Sequence, residues 1–409
     1  MKILVLNCGS SSLKFQLVET DAASALTGTD QALAKGVIEN IGGPAVLKYE
    51  AAGRAPVRES AEILEHKIAV ETALRLLSDP ATGVIRDRSQ IDAVGHRVVH
   101  GGERFKASAL IDDAVLLGIE ECFEMAPLHN PPNVKGYRAA RAALPAAPQV
   151  AVFDTSFHQT MPAEAYVYGL PWSVYQKHGI RRYGFHGTSH RFVSERLTAL
   201  LGRAPGDDAL RLITCHLGNG CSIAAIRGGR SLDTSMGFTP LEGLLMGTRC
   251  GDVDPAALLH VAAREEIGLP ELNAMVNKHS GLLGISGVSH DMRSLLDAEA
   301  AGDPRAKLAV DVFCYRLRKY VAAYMGVLGG LDGLAFAGGI GENAAVIRAR
   351  SLAGLEGLGL SLDAERNAAA CGTVAEISRA GAATRVFVVP TNEELLIARD
   401  TCAIVSGRS

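Results

Sequence analysis

Residues 6–15 read LNCGSSSLKF, so that Lys14 follows Ser11 at the Ser-x-x-Lys spacing of acyl-serine enzymes. That chemistry also needs Ser-Asp-Asn and Lys-Thr-Gly elements, and neither is present. It further needs the lysine one helical turn after the serine, whereas an apolar run, KILVL at 2–6, and an alternating one, LKFQLVE at 13–19, predict a strand–turn–strand hairpin. Two readings remain for the turn. It can be an ordinary hairpin turn, or small residues can let its backbone N–H groups close on a phosphate while Lys14 adds a point charge.

A second stretch repeats the pattern. HLGNGCS (216–222) puts His216, two glycines, Asn219 and Ser222 at the mouth of another predicted hairpin. Two facing hairpins of this kind could hold the two ends of a polyphosphate. GGIGENA (338–344) contains Gly339-x-Gly341-x-x-Ala344 between a predicted strand and helix, a loose dinucleotide fingerprint. It lies far from any first βαβ unit, and no strand-ending acid follows at the right distance, which argues against a dehydrogenase. Phosphate or adenosine contact at a helix N-terminus stays open. No G-x-x-x-x-G-K-[ST] loop and no protein-kinase motif set is present.

Two His-x-x-x-His pairs, His96/His100 and His186/His190, lack the glutamate and third ligand of a zinc site, so structural or substrate-facing histidines are expected. Arg97 in GHRVVHGGE and Arg249 in LMGTRCGDVD stand among apolar residues and glycines, the surroundings of enclosed guanidinium groups that pair with an anion. Arg293 follows Asp291 in SHDMRS. Asp154 ends an apolar strand, QVAVFD. Glu393 falls in the first turn of a predicted last helix, either as a helix-dipole complement or as a Mg²⁺ ligand.

These residues need a scaffold. With 48% hydrophobic and 21% charged residues in 409, the chain can build two or three packed domains. A net charge of −3 argues against a general nucleic-acid or anionic-membrane binder. Eight scattered cysteines without a C-x-x-C read as thiols in a reducing compartment. The start, MKILVLNCGSSS, is too short for a signal-peptide core, and no run reaches the eighteen apolar residues of a membrane span. A soluble cytoplasmic protein with no nucleic-acid or membrane partner is the expectation.

Strand patterns recur at 91–100, 149–154, 211–237, 333–339 and 385–390. Helical periods are expected at 60–78, 131–144, 255–266, 270–278, 290–300 and 305–328, from about 344, and at 391–405. Thr391-x-x-Glu394 reads as a capping box for the last. Alternating strands and helices, with strand–glycine-loop–strand units in both halves, predict a duplicated α/β architecture with a cleft between halves. Ligands in such sheets bind at the carboxyl ends of strands.

Taken in order, LVLNCGSSSLKF, GHRVVHGGE, APLHNPPN, VFDTSFH, YGFHGTSH, CHLGNGCSI, FTPLEGLLMGTRCGDVDP, AFAGGIGEN and PTNEELLIARDT resemble the acetate kinase family from residue 2 to about 403. The resemblance implies two domains of duplicated actin-like (ribonuclease H-like) fold, 1–154 completed by 386–409, and 155–385 with the nucleotide site and dimer contacts. It implies a homodimer that reversibly moves the ATP γ-phosphate to acetate with Mg²⁺, for which Mn²⁺ can substitute. By position, Asn7, Ser10, Ser12 and Lys14 form the first phosphate loop, and Asn7 and Glu393 the metal site. His216, Leu217, Gly218, Asn219 and Gly220, then Asp291, Met292 and Arg293, then Gly339, Ile340, Gly341, Glu342 and Asn343, contact the nucleotide. Arg97, Asp154, His186 and Arg249 surround the phosphoryl group. Val99, Leu128, Phe185 and Pro240 form the pocket for the acetate methyl. Propionate kinases share these motifs, so propionate is an alternative acceptor. A non-enzymatic nucleotide-binding module of the same superfamily is the competing class, but it has no reason to gather Arg97, His186 and Arg249.

Overall fold

The computed structural model describes residues 1–407 and separates them into two compact units, one of Met1–Phe157 with the chain from Asn392 onward, the other of His158–Thr391. The first unit holds an eight-stranded sheet of β1 (Lys2–Cys8), β2 (Ser12–Glu19), β3 (Gln31–Glu39), β4 (Gly43–Ala51), β5 (Val57–Ile63), β6 (Ala93–Val98), β7 (Ala109–Leu110) and β8 (Gln149–Phe153). Their spatial order is β5-β4-β3-β2-β1-β6-β8-β7. The second unit has β9 (Arg211–Leu217), β10 (Cys221–Arg227), β11 (Arg230–Thr234), β12 (Gly333–Ala337), β13 (Ala375–Glu376) and β14 (Arg385–Val388), in the order β11-β10-β9-β12-β14-β13. The duplication is explicit in the pairing. An antiparallel trio, β3-β2-β1 or β11-β10-β9, continues into two strands parallel to its innermost member, β6 and β8 or β12 and β14.

The helices that matter for the site are α1 (His66–Ser78), α2 (Asn130–Ala143), α3 (Gly187–Leu200), α4 (Met292–Ala300), α5 (Pro304–Leu328), α6 (Gly338–Asn343) and α7 (Glu393–Val405). Strand alternation assigns the faces of the first sheet. Leu4, Leu6, Cys8, Leu13, Phe15 and Leu17 pack with α1 and α2. Ile3, Val5, Ala93, Val150 and Val152 pack with Ile397, Ala398 and Cys402 of α7. Continuing by twos from the α7 side, Val5 leads to Asn7, Ala93 to Arg97 and Val152 to Asp154. The carboxyl ends of three parallel strands therefore present their polar residues on the face that α7 covers. Gly95 lets the helix approach this face: a Cβ there would lie 2.4 Å from the Thr401 hydroxyl and 2.7 Å from Ile397.

Several sequence expectations change. Residues 60–63 belong to β5, paired with β4, and helix α1 starts only at His66. The helix expected from about 344 is present over Ala345–Leu352, but the glycine stretch before it, expected as a loop, is the short helix α6 directly after β12. The cap of α7 is Asn392, whose side chain accepts from Leu395 N–H, so the Thr391 capping box does not form. The expected boundary at 385/386 cuts β14, whose ladder partner is β12 in the second sheet. No helix among the described residues is long and apolar enough to cross a membrane.

Because Gly95 has no room for a side chain, Gly95→Ala is expected to lower the thermal transition, through a loss of about 1–3 kcal/mol in stability from overpacking. Adding Thr401→Ala should recover part of the loss, measured by calorimetry on the two variants.

Candidate active site

In the first unit the turn that posed the Ser-x-x-Lys question is a tight hairpin. Gly9 N–H donates to the Ser12 carbonyl at 2.8 Å, and Ser10 and Ser11 are exposed. Lys14 lies on β2 directly across from Asn7, not one helical turn after Ser11, which removes the acyl-serine geometry. Two buried asparagines of HNPPN fix the neighbouring strand ends. Asn133 donates to the Cys8 carbonyl (2.7 Å) and accepts from Val99 N–H (3.1 Å), and Asn130 accepts from His100 N–H (3.0 Å). Neither asparagine was singled out from sequence. Their position around the prolines that open α2 was the available signal.

Arg97 is the centre of this half. Its Nε donates to both Asp154 oxygens at 3.1 Å, its Nη2 donates to Asp154 as well, and its Nη1 donates to Asn7 Oδ1 at 3.2 Å. Glu393, brought by the first turn of α7, has a carboxylate oxygen 3.9 Å from the Nε. Burial works against the Arg97 charge, but Asp154 and Glu393 outweigh it and raise the guanidinium pKa. Glu393 is pushed the other way, up to about 7, by burial first, with the attraction of Arg97 not enough to offset it and Asp154 adding repulsion. His96 and His100 are held down to about 4 by burial, and His96 shares a hydrogen bond with Gln149. They are structural, neutral imidazoles. No cluster of three acidic, histidine or cysteine ligands that could hold a metal occurs among the described residues.

The second unit repeats the arrangement with a different electrostatic outcome. His186 caps α3 with a left-handed backbone, φ 57°, uncommon for a non-glycine residue. Its ring lies 4.3 Å from that of His216 on β9, and its Nδ1 meets the Ser222 hydroxyl of β10 at 2.9 Å. Arg249 sits in the long segment after β11. Its Nη1 donates to the Pro240 carbonyl, and among the described residues no carboxylate pairs with it, so burial lowers its pKa. A Cβ on Gly220 would be 2.5 Å from Arg249 Nη2 and 3.4 Å from His186 Nε2. Both groups face the space that this glycine leaves. The segment is held from behind by groups the sequence reading passed over. Arg182 and Tyr168 donate to Glu242, and Arg316 donates to the Gly243 and Asp252 carbonyls.

A cavity of about 510 Å³ lies alongside. Gly218 and Asn219 line it with Asp291, Met292 and Arg293 at the start of α4, and with Gly339, Ile340 and Asn343 of α6. Three separate stretches expected to meet a nucleotide thus share one wall, joined by Ala344 of the Gly339-x-Gly341-x-x-Ala344 pattern and by His290 and Leu296, which had not been foreseen. Asp291 caps α4, and the backbone N–H of Ser294 leads in lowering its pKa. His216, Leu217, Gly220, Gly341 and Glu342 do not line this cavity. The Glu342 carboxylate accepts from Gly338 N–H (2.8 Å) and Thr391 N–H (3.2 Å) and so ties α6 to the end of the second unit. Of the expected acyl pocket, Val99 and Phe185 are buried, Pro240 serves Arg249 through its carbonyl, and Leu128 is 62% exposed.

In the second unit, a guanidinium with no acid beside it and the adjoining cavity suit an anionic ligand. The acetokinase family profile matches residues 2–399. The chain belongs to the acetokinase family. It is 52% identical to the acetate kinase of Treponema denticola over 99% of this chain and all of that protein. Among solved structures, acetate kinase of Porphyromonas gingivalis superposes with TM-score 0.93 at 46% identity, covering 99% of both chains. A propionate kinase of Francisella tularensis gives 0.89 at 42%, covering 98% of both. The acetokinase fold thus comes with two arginines in opposite situations.

That contrast is measurable without substrate. Arg97→Met leaves Asp154 and Glu393 facing each other without a counter-charge and should cost about 3–5 kcal/mol of stability. Arg249→Met removes a half-buried charge that has no acid to lose, and its thermal transition should stay level or rise. Equal losses in the two variants would contradict the assignment.

Proposed function

We propose that this protein transfers the γ-phosphoryl group of ATP to acetate, reversibly, giving acetyl phosphate and ADP by direct in-line displacement. The observation that carries the reading is Arg249, half-buried, without an acid, and facing the same space as His186. A full-length family match supports it. Acetate, with an acidity like that of a glutamate side chain, is already ionised at neutral pH, so no general base is needed. The barrier is electrostatic: an anion has to approach a polyanion. Arg249 and His186 are the donors for the equatorial oxygens of the phosphoryl group, and Arg97 is the counter-charge for the acceptor. Asp154 orients Arg97 through its paired hydrogen bonds, in place of a proton-transfer role. The 510 Å³ cavity takes the nucleotide, and Lys14, Ser10 and Ser12 hold phosphate oxygens. Val99, Leu128, Phe185 and Pro240 meet the acyl group. Propionate is the second reading, because one methylene in an apolar pocket changes binding by only about 1–3 kcal/mol.

Magnesium belongs to this proposal. The residues fit a cation that arrives with the nucleotide. Asp154 and Glu393 put two carboxylates against one guanidinium, which leaves the cluster short of positive charge, and Asn7 adds an amide oxygen. One or two protein oxygens are what Mg²⁺ ordinarily takes when phosphates supply the rest. When bound, the ion neutralises phosphate charge. Cytoplasmic location agrees with eight free cysteines. A homodimer is included, with Leu308 and Tyr315, exposed one heptad apart on α5, as candidate contact residues.

Acyl hydroxamate formed from ATP with acetate, propionate or butyrate tests the reading. Acetate should be the preferred acceptor, and Arg97→Ala should lower kcat by roughly 10² or more. Full activity in that variant would remove Arg97 from the mechanism. A second test uses linkage. Glu393 is raised by burial, so in the ligand-free protein its contribution to stability is complete below the ordinary glutamate range and is lost as pH rises through about 7. A cation competes with that proton, so the thermal shift produced by Mg²⁺ should grow from pH 6 to pH 8 and lose this growth in Glu393→Gln.

A further inference from the structure

We propose that Thr214, His190 and Ser222 form a one-way chain of hydrogen bonds that fixes His186 as the neutral tautomer with its proton on Nε2. Three contacts make the chain. Thr214 Oγ1 lies 2.7 Å from His190 Nδ1, His190 Nε2 lies 2.7 Å from Ser222 Oγ, and Ser222 Oγ lies 2.9 Å from His186 Nδ1. Thr214 and Ser222 sit on adjacent strands of the second sheet, facing α3, which carries both histidines. Thr214, Ser222 and His190 are each at most 1% exposed, so water does not complete their bonding.

The direction follows from the closed end. Among the described residues the Thr214 hydroxyl has no acceptor other than His190 Nδ1. A buried hydroxyl that donates to nothing is costly, so Thr214 gives its proton to Nδ1. His190 is neutral, because burial first, and then the neighbouring His158 and His216, push its pKa well down. A neutral imidazole that accepts at Nδ1 must donate at Nε2. His190 therefore donates to Ser222, and Ser222 spends its single proton on His186 Nδ1. His186 Nδ1 is an acceptor, and its proton lies on Nε2. Nε2 is the nitrogen that faces the Gly220 space together with Arg249 Nη2.

Reversing the chain, or protonating His186 at both nitrogens, would turn Ser222 toward His190, put the His190 proton on Nδ1 and leave the Thr214 proton without an acceptor. The groups around the pair are consistent with a neutral chain. The His158 Nε2 donates to the Phe185 carbonyl, its Nδ1 meets the Ser231 hydroxyl, and His216 Nδ1 meets the Ser189 hydroxyl. Arg249, whose guanidinium borders the same space, disfavours a second positive charge on His186. Thr214, His190 and Ser222 are positioning residues. They act on the phosphoryl group only through the N–H that they place on His186, so this inference rests on the phosphotransfer reading for its purpose but not for its geometry.

Nitrogen-15 correlation spectra of the full chain with labelled histidine, read at pH 7, report which imidazole nitrogen is protonated, with His186 assigned by its loss in His186→Gln. The expected wild-type pattern for His186 is neutral with the proton on Nε2. In Thr214→Val and Ser222→Ala it should become a mixture of tautomers. Acetyl phosphate formation in these variants should lose about 10-fold or more in kcat with little change in KM for ATP, and Ser222→Thr should restore it. A wild-type His186 protonated on Nδ1, or on both nitrogens, overturns the proposal. So does a variant whose tautomer shifts while kcat holds. The wild-type spectrum decides the proton position even where a variant does not fold. If the spectrum is as expected but no acyl phosphate forms, it is the phosphotransfer reading that fails.

Discussion

A guanidinium taken out of water must be answered by negative charge, and most of what is distinctive here follows from how the two units meet that demand. In the first, Asp154 and Glu393 supply it from within the fold. In the second, Arg249 has only a carbonyl, and the answer is left to whatever binds. The same sheet plan therefore yields one guanidinium answered by acids of the fold and one that is not. The second is the less comfortable state, which is why its backing is dense: Glu242, Arg182, Tyr168 and Arg316 hold the segment that carries Arg249. A half-buried charge with no acid beside it would otherwise turn outward.

Strand alternation converts this demand into sequence. On β1, Ile3, Val5 and Asn7 fall on one face, and on β6, Ala93, Gly95 and Arg97 do the same. Two or three apolar steps anchor a strand against α7, and the next step, past the end of the core, is polar. The chemistry is thus an extension of packing by one residue. Gly95 shows how tight the tolerance is, since the helix that delivers Glu393 rests on the absence of a side chain there.

Legibility followed the same logic. Strands with both faces covered, such as β1, β8 and β9, read clearly because they are nearly continuous apolar runs. The hairpins β3, β4 and β5 were missed, and 60–63 was taken for helix, because their outer faces are exposed and SAEILE carries good helix formers. Pairing with β4 overrode that preference. Helix α3 escaped because Ser189, His190, Ser194 and Thr198 are buried, which hides the apolar period. The charged and glycine-flanked site residues could be picked out by type. What could not be read was the geometry among hydroxyls. Thr214 looks like an ordinary strand residue and Ser222 like a hairpin-mouth hydroxyl until the register of β9 and β10 sets them against the histidines of α3.

Helix α7 adds a matter of timing. Ile3, Val5, Ala93, Val150 and Val152 have their apolar cover in residues about 250 positions or more downstream, beyond the whole of the second unit. A chain emerging from the ribosome at about 5–20 residues per second would expose that half of the first sheet until the last helix is made. The second unit is contiguous and can close on its own contacts before then. The unit that begins first is the one that finishes last, and during the interval its bare sheet face is the surface a chaperone would find.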